Sequence, residues 1–268
     1  MLENDKEKRI KEKIKHITGH STDINENACY DLVKNYRDYK INKILLLCSS
    51  FDYFLVEEEG RLNSLFSEWC SFSDKEQIPI INHVEHSYEA LERIKKDNYD
   101  LLIIFNEPKD KDVEELSDEI KKEKDIPLFL LYNDVNRLKT IKKKEQTKID
   151  GFFTWNGDGK SIIGIVEYLE DKTNLKYSKK SYEKEIILLV EDSIQHYSSY
   201  IPIMHEEICN YLKKIINEEL SCEQKNLRFK RRPYIVHTQD YEETLELYEK
   251  YNKDIVLIIS DNFLEKNN

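Results

Sequence analysis

Short runs of branched apolar residues, separated by segments with helical spacing, constrain the fold of this chain most. Continuous apolar runs of four to six residues are typical of strands that are buried on both faces of a parallel sheet. The first five runs are Ile44–Leu47, Pro79–Ile81, Leu101–Phe105, Pro127–Leu131 and Gly151–Trp155. Their alternation with helices predicts an α/β fold, a flavodoxin-like doubly wound parallel sheet with strand order 2-1-3-4-5.

A second series of runs follows the same pattern but is shorter. It predicts strands at Ile186–Val190, Tyr234–Val236 and Ile255–Ser260, with helices at Ile194–Leu220 and Tyr241–Tyr251. The segments that begin at Asp100 and Asp254 are similar, which indicates an internal repeat. The chain is therefore expected to contain one complete five-stranded unit and a second partial unit.

These patterns divide the chain into four segments. Residues 1–40 are a charged N-terminal segment, expected to be helical or flexible, and residues 41–174 form the complete unit. Residues 175–184 are a polar linker, and residues 185–268 form the partial unit with its long first helix.

Composition excludes several classes of protein. The formal net charge of −11 argues against a nucleic-acid binder, and the basic stretch Lys225–Arg232 is interpreted as a solvated loop. No apolar run approaches the roughly 20 residues needed to span a membrane. The five cysteines are scattered without a CxxC pair, so neither disulfides nor zinc are indicated. A cytoplasmic location is the resulting expectation.

Acidic residues follow two strands of the partial unit. Glu191 and Asp192 come directly after one strand, and Asp261 follows the third. If those strands are neighbours, the three carboxylates meet at one edge of the sheet, where ligands of open α/β sheets bind. Three such carboxylates suit a hard cation such as Mg²⁺, and Asp261 is then a candidate phosphoryl acceptor. The alternative interpretation is that Asp192 or Ser193 only caps the following helix.

The complete unit lacks this acidic pattern. Cys48 and Ser49 stand where the partial unit has Glu191 and Asp192. Its third strand ends at Phe105, although a different alignment would place Glu107 opposite Asp261. We therefore expect this unit neither to bind Mg²⁺ nor to accept phosphate.

The order of strands and acids resembles the receiver domains of two-component response regulators. In that family an acidic pair after strand 1 binds Mg²⁺, and an aspartate after strand 3 takes phosphate from a histidine kinase. The resemblance implies these roles for Glu191, Asp192 and Asp261, with a histidine kinase or phosphotransfer protein as partner. The family also uses a Thr or Ser after strand 4 and a Lys after strand 5. In the complete unit the corresponding segments, Leu131–Asn133 and Trp155–Gly157, hold neither, and in the partial unit these positions lie beyond residue 268.

A narrower resemblance covers about residues 41–262. The segments Phe51–Leu62, Trp155–Asp158 and Val190–Pro202 are similar to the paired receiver-like front end of bacterial phosphoenolpyruvate synthase and pyruvate phosphate dikinase-like proteins. No ATP-grasp or phosphohistidine segment is present in the sequence, so we expect a regulatory chain rather than an enzyme.

Three functions remain open. The first is a phosphorelay module with a pseudo-receiver and a candidate phosphoacceptor unit, and the second is an interaction scaffold that is never phosphorylated. The third, a small phosphatase or hydrolase, is disfavoured because Glu191-Asp192-Ser193 is not a DxD pattern. Helix 194–220 is a candidate surface for a protein partner. His196 is a candidate neighbour of the acids, and the other histidines are expected at the surface.

Overall fold

The computed structural model describes residues 39–59, 62–72, 78–144, 148–177, 185–216 and 232–261. Most of the charged N-terminal segment, most of the linker, residues 217–220 of the predicted helix 194–220 and residues 225–231 of the basic stretch lie outside these ranges. The described residues fall into two compact units. The first unit comprises residues 41–70 and 78–165, and the second comprises the described residues of 166–261 together with 39–40 and 71–72.

The first unit contains a five-stranded parallel sheet. Its strands are β1 (Lys43–Leu47), β2 (Ile80–Val84), β3 (Leu101–Phe105), β4 (Leu128–Tyr132) and β5 (Gly151–Thr154). Their order is β2-β1-β3-β4-β5, and every neighbouring pair is parallel. The predicted flavodoxin-like order is confirmed. The core lies around β3 and β4, in which every residue is buried.

Helices connect these strands. They are α1 (Ser50–Phe54), α2 (Leu62–Phe72), α3 (Ser87–Lys96), α4 (Val113–Glu123), α5 (Val135–Lys142) and α6 (Lys160–Tyr177). The helical segment that follows β1 is interrupted after α1 by a single π-helical turn at Leu55–Glu59. Three consecutive glutamates and then Gly60 stand at this interruption, and glycine is a poor helix former.

The second unit repeats the first half of this architecture. Its strands are β6 (Ile186–Val190), β7 (Tyr234–Thr238) and β8 (Ile255–Ser260), and its helices are α7 (Ile194–Ile216) and α8 (Tyr241–Tyr251). The order β7-β6-β8 matches β2-β1-β3, and both pairs are parallel. The first strand of the unit therefore lies between the second and third, as the sequence predicts.

The second half of α6 belongs to the second unit, so the boundary comes earlier in the chain than residue 174. Glu167 and Asp171 of this helix are buried with Arg232. Asp171 accepts hydrogen bonds from both terminal nitrogens of the guanidinium, at 2.8 and 2.9 Å, and Glu167 accepts another. Asp171 also accepts one from the backbone N–H of Ile235, at the start of β7. These bonds attach α6 to the second sheet.

The buried position of Arg232 corrects the interpretation of Lys225–Arg232 as a solvated loop, at least at its last residue. Burial alone would lower the pKa of the Arg232 guanidinium, but the charges of Asp171 and Glu167 raise it above its ordinary value. Arg232 is therefore a buried cation that is fully paired. His205 lies at the same cluster, with its ring nitrogens 3.9 Å from carboxylate oxygens of Glu167 and Asp171.

The long helix α7 is largely buried. Ile201, Met204, Ile208 and Leu212 are all enclosed, whereas Ile203 and Tyr211 are only half-buried. Pro202 lies inside the helix and has no N–H to donate to the carbonyl of Ser198. Across the described residues, no helix combines the length and the apolar character needed to cross a bilayer.

Candidate functional site

The predicted acidic residues of the second unit lie at neighbouring strand ends. The backbone N–H of Asp261 donates to the carbonyl of Val190, the last residue of β6, at 3.1 Å. Glu191 follows Val190 in the chain, and its backbone N–H donates to the carbonyl of Thr238 at the end of β7, also at 3.1 Å. The carboxyl ends of all three strands thus meet where the acids begin, which we call the acidic corner (Glu191, Asp192 and Asp261).

Glu191 is the buried member of the acidic corner, with 3% of its surface exposed. Its Oε1 accepts a hydrogen bond from the N–H of Ser193 at 3.2 Å and lies 3.4 Å from Nδ1 of His196. Burial raises the pKa of Glu191; the Ser193 N–H and His196 act in the opposite direction, and the charge of Asp261 raises it further. Overall the pKa of Glu191 is raised, which means that its surroundings disfavour the ionised form.

The other two acids are more open. Asp192 is exposed and Asp261 is half-buried. Asp261 lies beside the start of the Glu191–Asp192 segment, because its backbone N–H donates to the carbonyl of Val190, the residue before Glu191. The three carboxylates nevertheless do not form a compact metal-binding group as placed. They are not among the groups of described residues whose ligand atoms all lie within 4.8 Å of one another. His196 approaches Glu191, as the sequence suggested.

Ser193, rather than Asp192, occupies the position before α7. Its carbonyl accepts hydrogen bonds from the backbone N–H groups of His196 and Tyr197, both at 3.1 Å. This is the bonding expected of the residue that begins a helix. Asp192 is therefore not the residue that begins the helix, and its side chain is exposed.

A buried histidine holds the end of β6. Nε2 of His237, on β7, lies 2.8 Å from the carbonyl oxygen of Glu191, and the ring packs on Tyr197 at a centroid distance of 4.2 Å. The first unit has the same arrangement. There His83 lies 2.9 Å from the carbonyl oxygen of Cys48 and stacks on Tyr53, also at 4.2 Å.

The sequence analysis missed this repeated feature. His205 and His237 are buried, and His83 is half-buried, which corrects the expectation that the histidines lie at the surface. The sequence contains a pattern that indicates this position, because each unit has a histidine as the penultimate residue of its second strand. The shared histidine supports the internal repeat beyond the strand pattern.

The strand register identifies the equivalent residues in the first unit. Leu47 pairs with Ile104, and Val190 pairs with Ser260, so Phe105 occupies the position of Asp261. Phe105 is buried and packs against Trp155 with ring centroids 5.0 Å apart. The alternative alignment with Glu107 is therefore not the one the fold adopts.

In the first unit, the position that corresponds to the acidic corner holds neutral side chains and one acid, Asp52. Asp52 accepts hydrogen bonds from the hydroxyl of Ser49 at 2.7 Å and from the side-chain amide of Asn106 at 3.1 Å. Asn106 has a φ of 61°, a left-handed conformation that asparagine tolerates better than most residues. Its amide oxygen accepts from the N–H of Asn133 at 3.0 Å, which fixes the loop after β3.

A different acidic group, Glu107, Asp112 and Glu114, has ligand atoms within 4.8 Å of one another in the first unit. The guanidinium of Arg137 already binds this group. Nε and a terminal nitrogen of Arg137 donate to the two oxygens of Glu107 at 2.6 and 2.7 Å, and the guanidinium lies 3.7 Å from Asp112. Lys144 also binds Glu114. Two cationic side chains thus offset two of the three carboxylate charges, which weakens the attraction for a metal ion.

Comparisons with known proteins add little. No protein-family model matches the chain, and no curated protein matches it. One solved structure with some similarity is described as a yeast Spc42 trimeric coiled-coil, amino acids 181–211, fused to another structure. Its sequence identity is 17% and its TM-score is 0.38, over 53% of this chain and 87% of that chain. A likeness this slight carries no argument about this protein.

Proposed function

We propose that this chain is a cytoplasmic signalling module in which Asp261 of the second unit accepts a phosphoryl group with the help of Mg²⁺. The observation that carries the proposal is the meeting of Glu191, Asp192 and Asp261 at adjacent strand ends. Open α/β sheets place their ligands at this edge. The donor would be a histidine kinase or a phosphotransfer protein, as the resemblance to receiver domains implies.

The raised pKa of Glu191 supports a cation at this corner. A buried carboxylate near a second carboxylate is unfavourable while both are ionised, and a divalent cation between them relieves both the burial and the repulsion. The exposed Asp192 would supply a third carboxylate to the ligand set. Perturbed acids of this kind cluster at functional sites.

The chemistry needs few groups. A carboxylate oxygen of Asp261 attacks the phosphorus of the donor, the bond from phosphorus to the donor nitrogen or oxygen breaks, and the donor leaves with that electron pair. The product is an acyl phosphate on Asp261. A divalent cation held by Glu191, Asp192 and Asp261 would neutralise charge on the phosphoryl oxygens, which is the main requirement of such a site.

The first unit fits a pseudo-receiver in this scheme. Cys48, Ser49 and Phe105 occupy the positions of Glu191, Asp192 and Asp261, and Phe105 supplies no nucleophile. Burial raises the pKa of the Cys48 thiol, which keeps it protonated and unreactive. We infer that this unit has a binding or structural role.

Intact-mass measurement after incubation with phosphoramidate and Mg²⁺ tests the proposal. The wild-type chain should gain one phosphoryl group, Asp261→Asn should gain none, and Glu107→Gln should behave as the wild type. A gain that survives in Asp261→Asn, or no gain in the wild type, contradicts it.

A second candidate function is an interaction scaffold without phosphorylation, including the regulatory front end of a phosphoenolpyruvate synthase-like enzyme. The exposed Asp192 favours it, because the three carboxylates are not gathered as placed. A partner could then contact the half-buried Ile203 and Tyr211 on α7. Such a scaffold would stay unmodified in the same mass measurement.

A further inference from the structure

Within the part of the chain that the structure describes, the third strand of the second unit, β8, lies at the edge of its sheet and has an exposed apolar face. In the order β7-β6-β8 it has a hydrogen-bonded neighbour on one side among the described residues. Its alternate residues Val256 and Ile258 are 42% and 43% exposed. The equivalent strand of the first unit, β3, is paired on both sides and fully buried.

The β8 edge has few of the features that normally protect an edge strand. Ile255–Ser260 contains no charge and no proline, and such residues are the usual protection. A register irregularity lies only at its beginning, where Ile186 pairs with Ile255 and Ile187 with Leu257. Because Asp261 donates to β6, alternation directs the backbone groups of Ile258 and Ser260 to the free edge.

We propose that β8 pairs with β8 of a second copy of this chain, antiparallel and about a two-fold axis. The two three-stranded sheets then become one six-stranded sheet across the pair. The same surface patch serves both copies, as a two-fold interface requires. This inference goes beyond the proposed phosphoryl transfer, although both use the carboxylate of Asp261, so the pairing is measured without Mg²⁺ and without a phosphoryl donor.

Charge selects the register of this pairing. Charged residues flank the apolar strand, with Lys253 and Asp254 before it and Asp261 after it. A pairing centred on Leu257 places Val256 beside Ile258 of the other copy, so that their apolar side chains meet on the exposed face. The same register brings the exposed Lys253 to Asp261 of the other copy at both ends of the pair.

Sedimentation velocity across the micromolar range tests the pairing. The full-length chain should show a monomer–dimer equilibrium, and Ile258→Lys should be monomeric because it places a cation on the paired face. Phe51→Lys is the matched control, since Phe51 is 69% exposed but lies in the first unit. It should dimerise as the wild type. Circular dichroism of each variant checks that it is folded.

A charge reversal tests the register itself. Lys253→Glu and Asp261→Lys should each weaken the dimer by about tenfold, because each replaces two attractive contacts with repulsive ones. The two changes combined should restore the wild-type dissociation constant. A chain that stays monomeric, a dimer that survives Ile258→Lys, or a double variant no tighter than the single ones would overturn the proposal.

Discussion

The ring of His237 hydrogen-bonds the backbone carbonyl of Glu191 at 2.8 Å, at the point where β6 ends and the acidic corner begins. A carbonyl oxygen only accepts, so Nε2 of His237 carries the proton. His83 does the same for Cys48 in the first unit, whose strand ends on no acid. The histidine is therefore part of the shared fold, and it fixes the backbone on which the second unit carries its acids.

Replacing His237 by Phe should weaken the second unit. The substitution keeps a ring beside Tyr197 but leaves the Glu191 carbonyl without its buried donor, which costs about 1–3 kcal/mol. Hydrogen exchange measured by mass spectrometry should be faster in peptides from β6 and β7. His86→Phe is the control, because His86 is exposed and its side chain makes no capping bond at the start of α3. Equal exchange in the two variants would contradict the role of His237.

Arg232→Met should be far more damaging than loss of an exposed cation. It leaves Glu167 and Asp171 buried without their partner, and breaking a buried pair in this way costs about 3–5 kcal/mol. Lys95→Met removes an exposed pair with Glu123 and should cost about 0–1 kcal/mol. Urea unfolding followed by circular dichroism compares them, and a similar small loss in both would show that the buried network adds little.

The raised pKa of Glu191 predicts a specific pH dependence. Between the ordinary pKa of a glutamate and the raised folded value, the folded chain binds more protons than the unfolded chain. The contribution of Glu191 to the free energy of unfolding is therefore largest at acid pH, and it is lost as the pH rises through the pKa of Glu191 in the folded chain. Glu191→Gln should remove this decline and be the more stable protein at neutral pH.

Urea unfolding of the wild type and of Glu191→Gln at a series of pH values measures the effect. Glu246→Gln, on the exposed surface of α8, should keep the wild-type profile. A variant that is less stable than the wild type at neutral pH would mean that the ionised Glu191 stabilises the fold.

Patterns of apolar residues predicted most of the fold, because β3, β4, β6 and all of β1 after Lys43 are buried on both faces and therefore consist largely of apolar residues. The position of Glu191 beside Asp261 followed from the same strand order. Arg232 and His237 could not be placed in this way. A buried polar residue is recognised by its partners, and the partners of Arg232 are more than sixty residues away in the sequence.

Side-chain placement also escaped prediction at the two acidic groups. The sequence favoured Glu191, Asp192 and Asp261 as a cation site, and it raised Glu107 only through an alternative alignment, without Asp112 and Glu114. The structure gathers the second group more closely, yet it also places Arg137 there. Whether a set of acids attracts a metal ion depends on which cations the fold has already supplied.

Paramagnetic broadening by Mn²⁺, a substitute for Mg²⁺, tests the central claim most directly, because one NMR spectrum reports on both acidic groups. The account predicts that amide signals around Glu191 and Asp261 broaden at low Mn²⁺, that excess Mg²⁺ reverses this, and that Asp261→Asn removes it. Signals around Glu107 and Asp112 should broaden only in Arg137→Gln. Broadening confined to Glu107 and Asp112 in the wild-type chain, or absent from the acidic corner, would contradict the account.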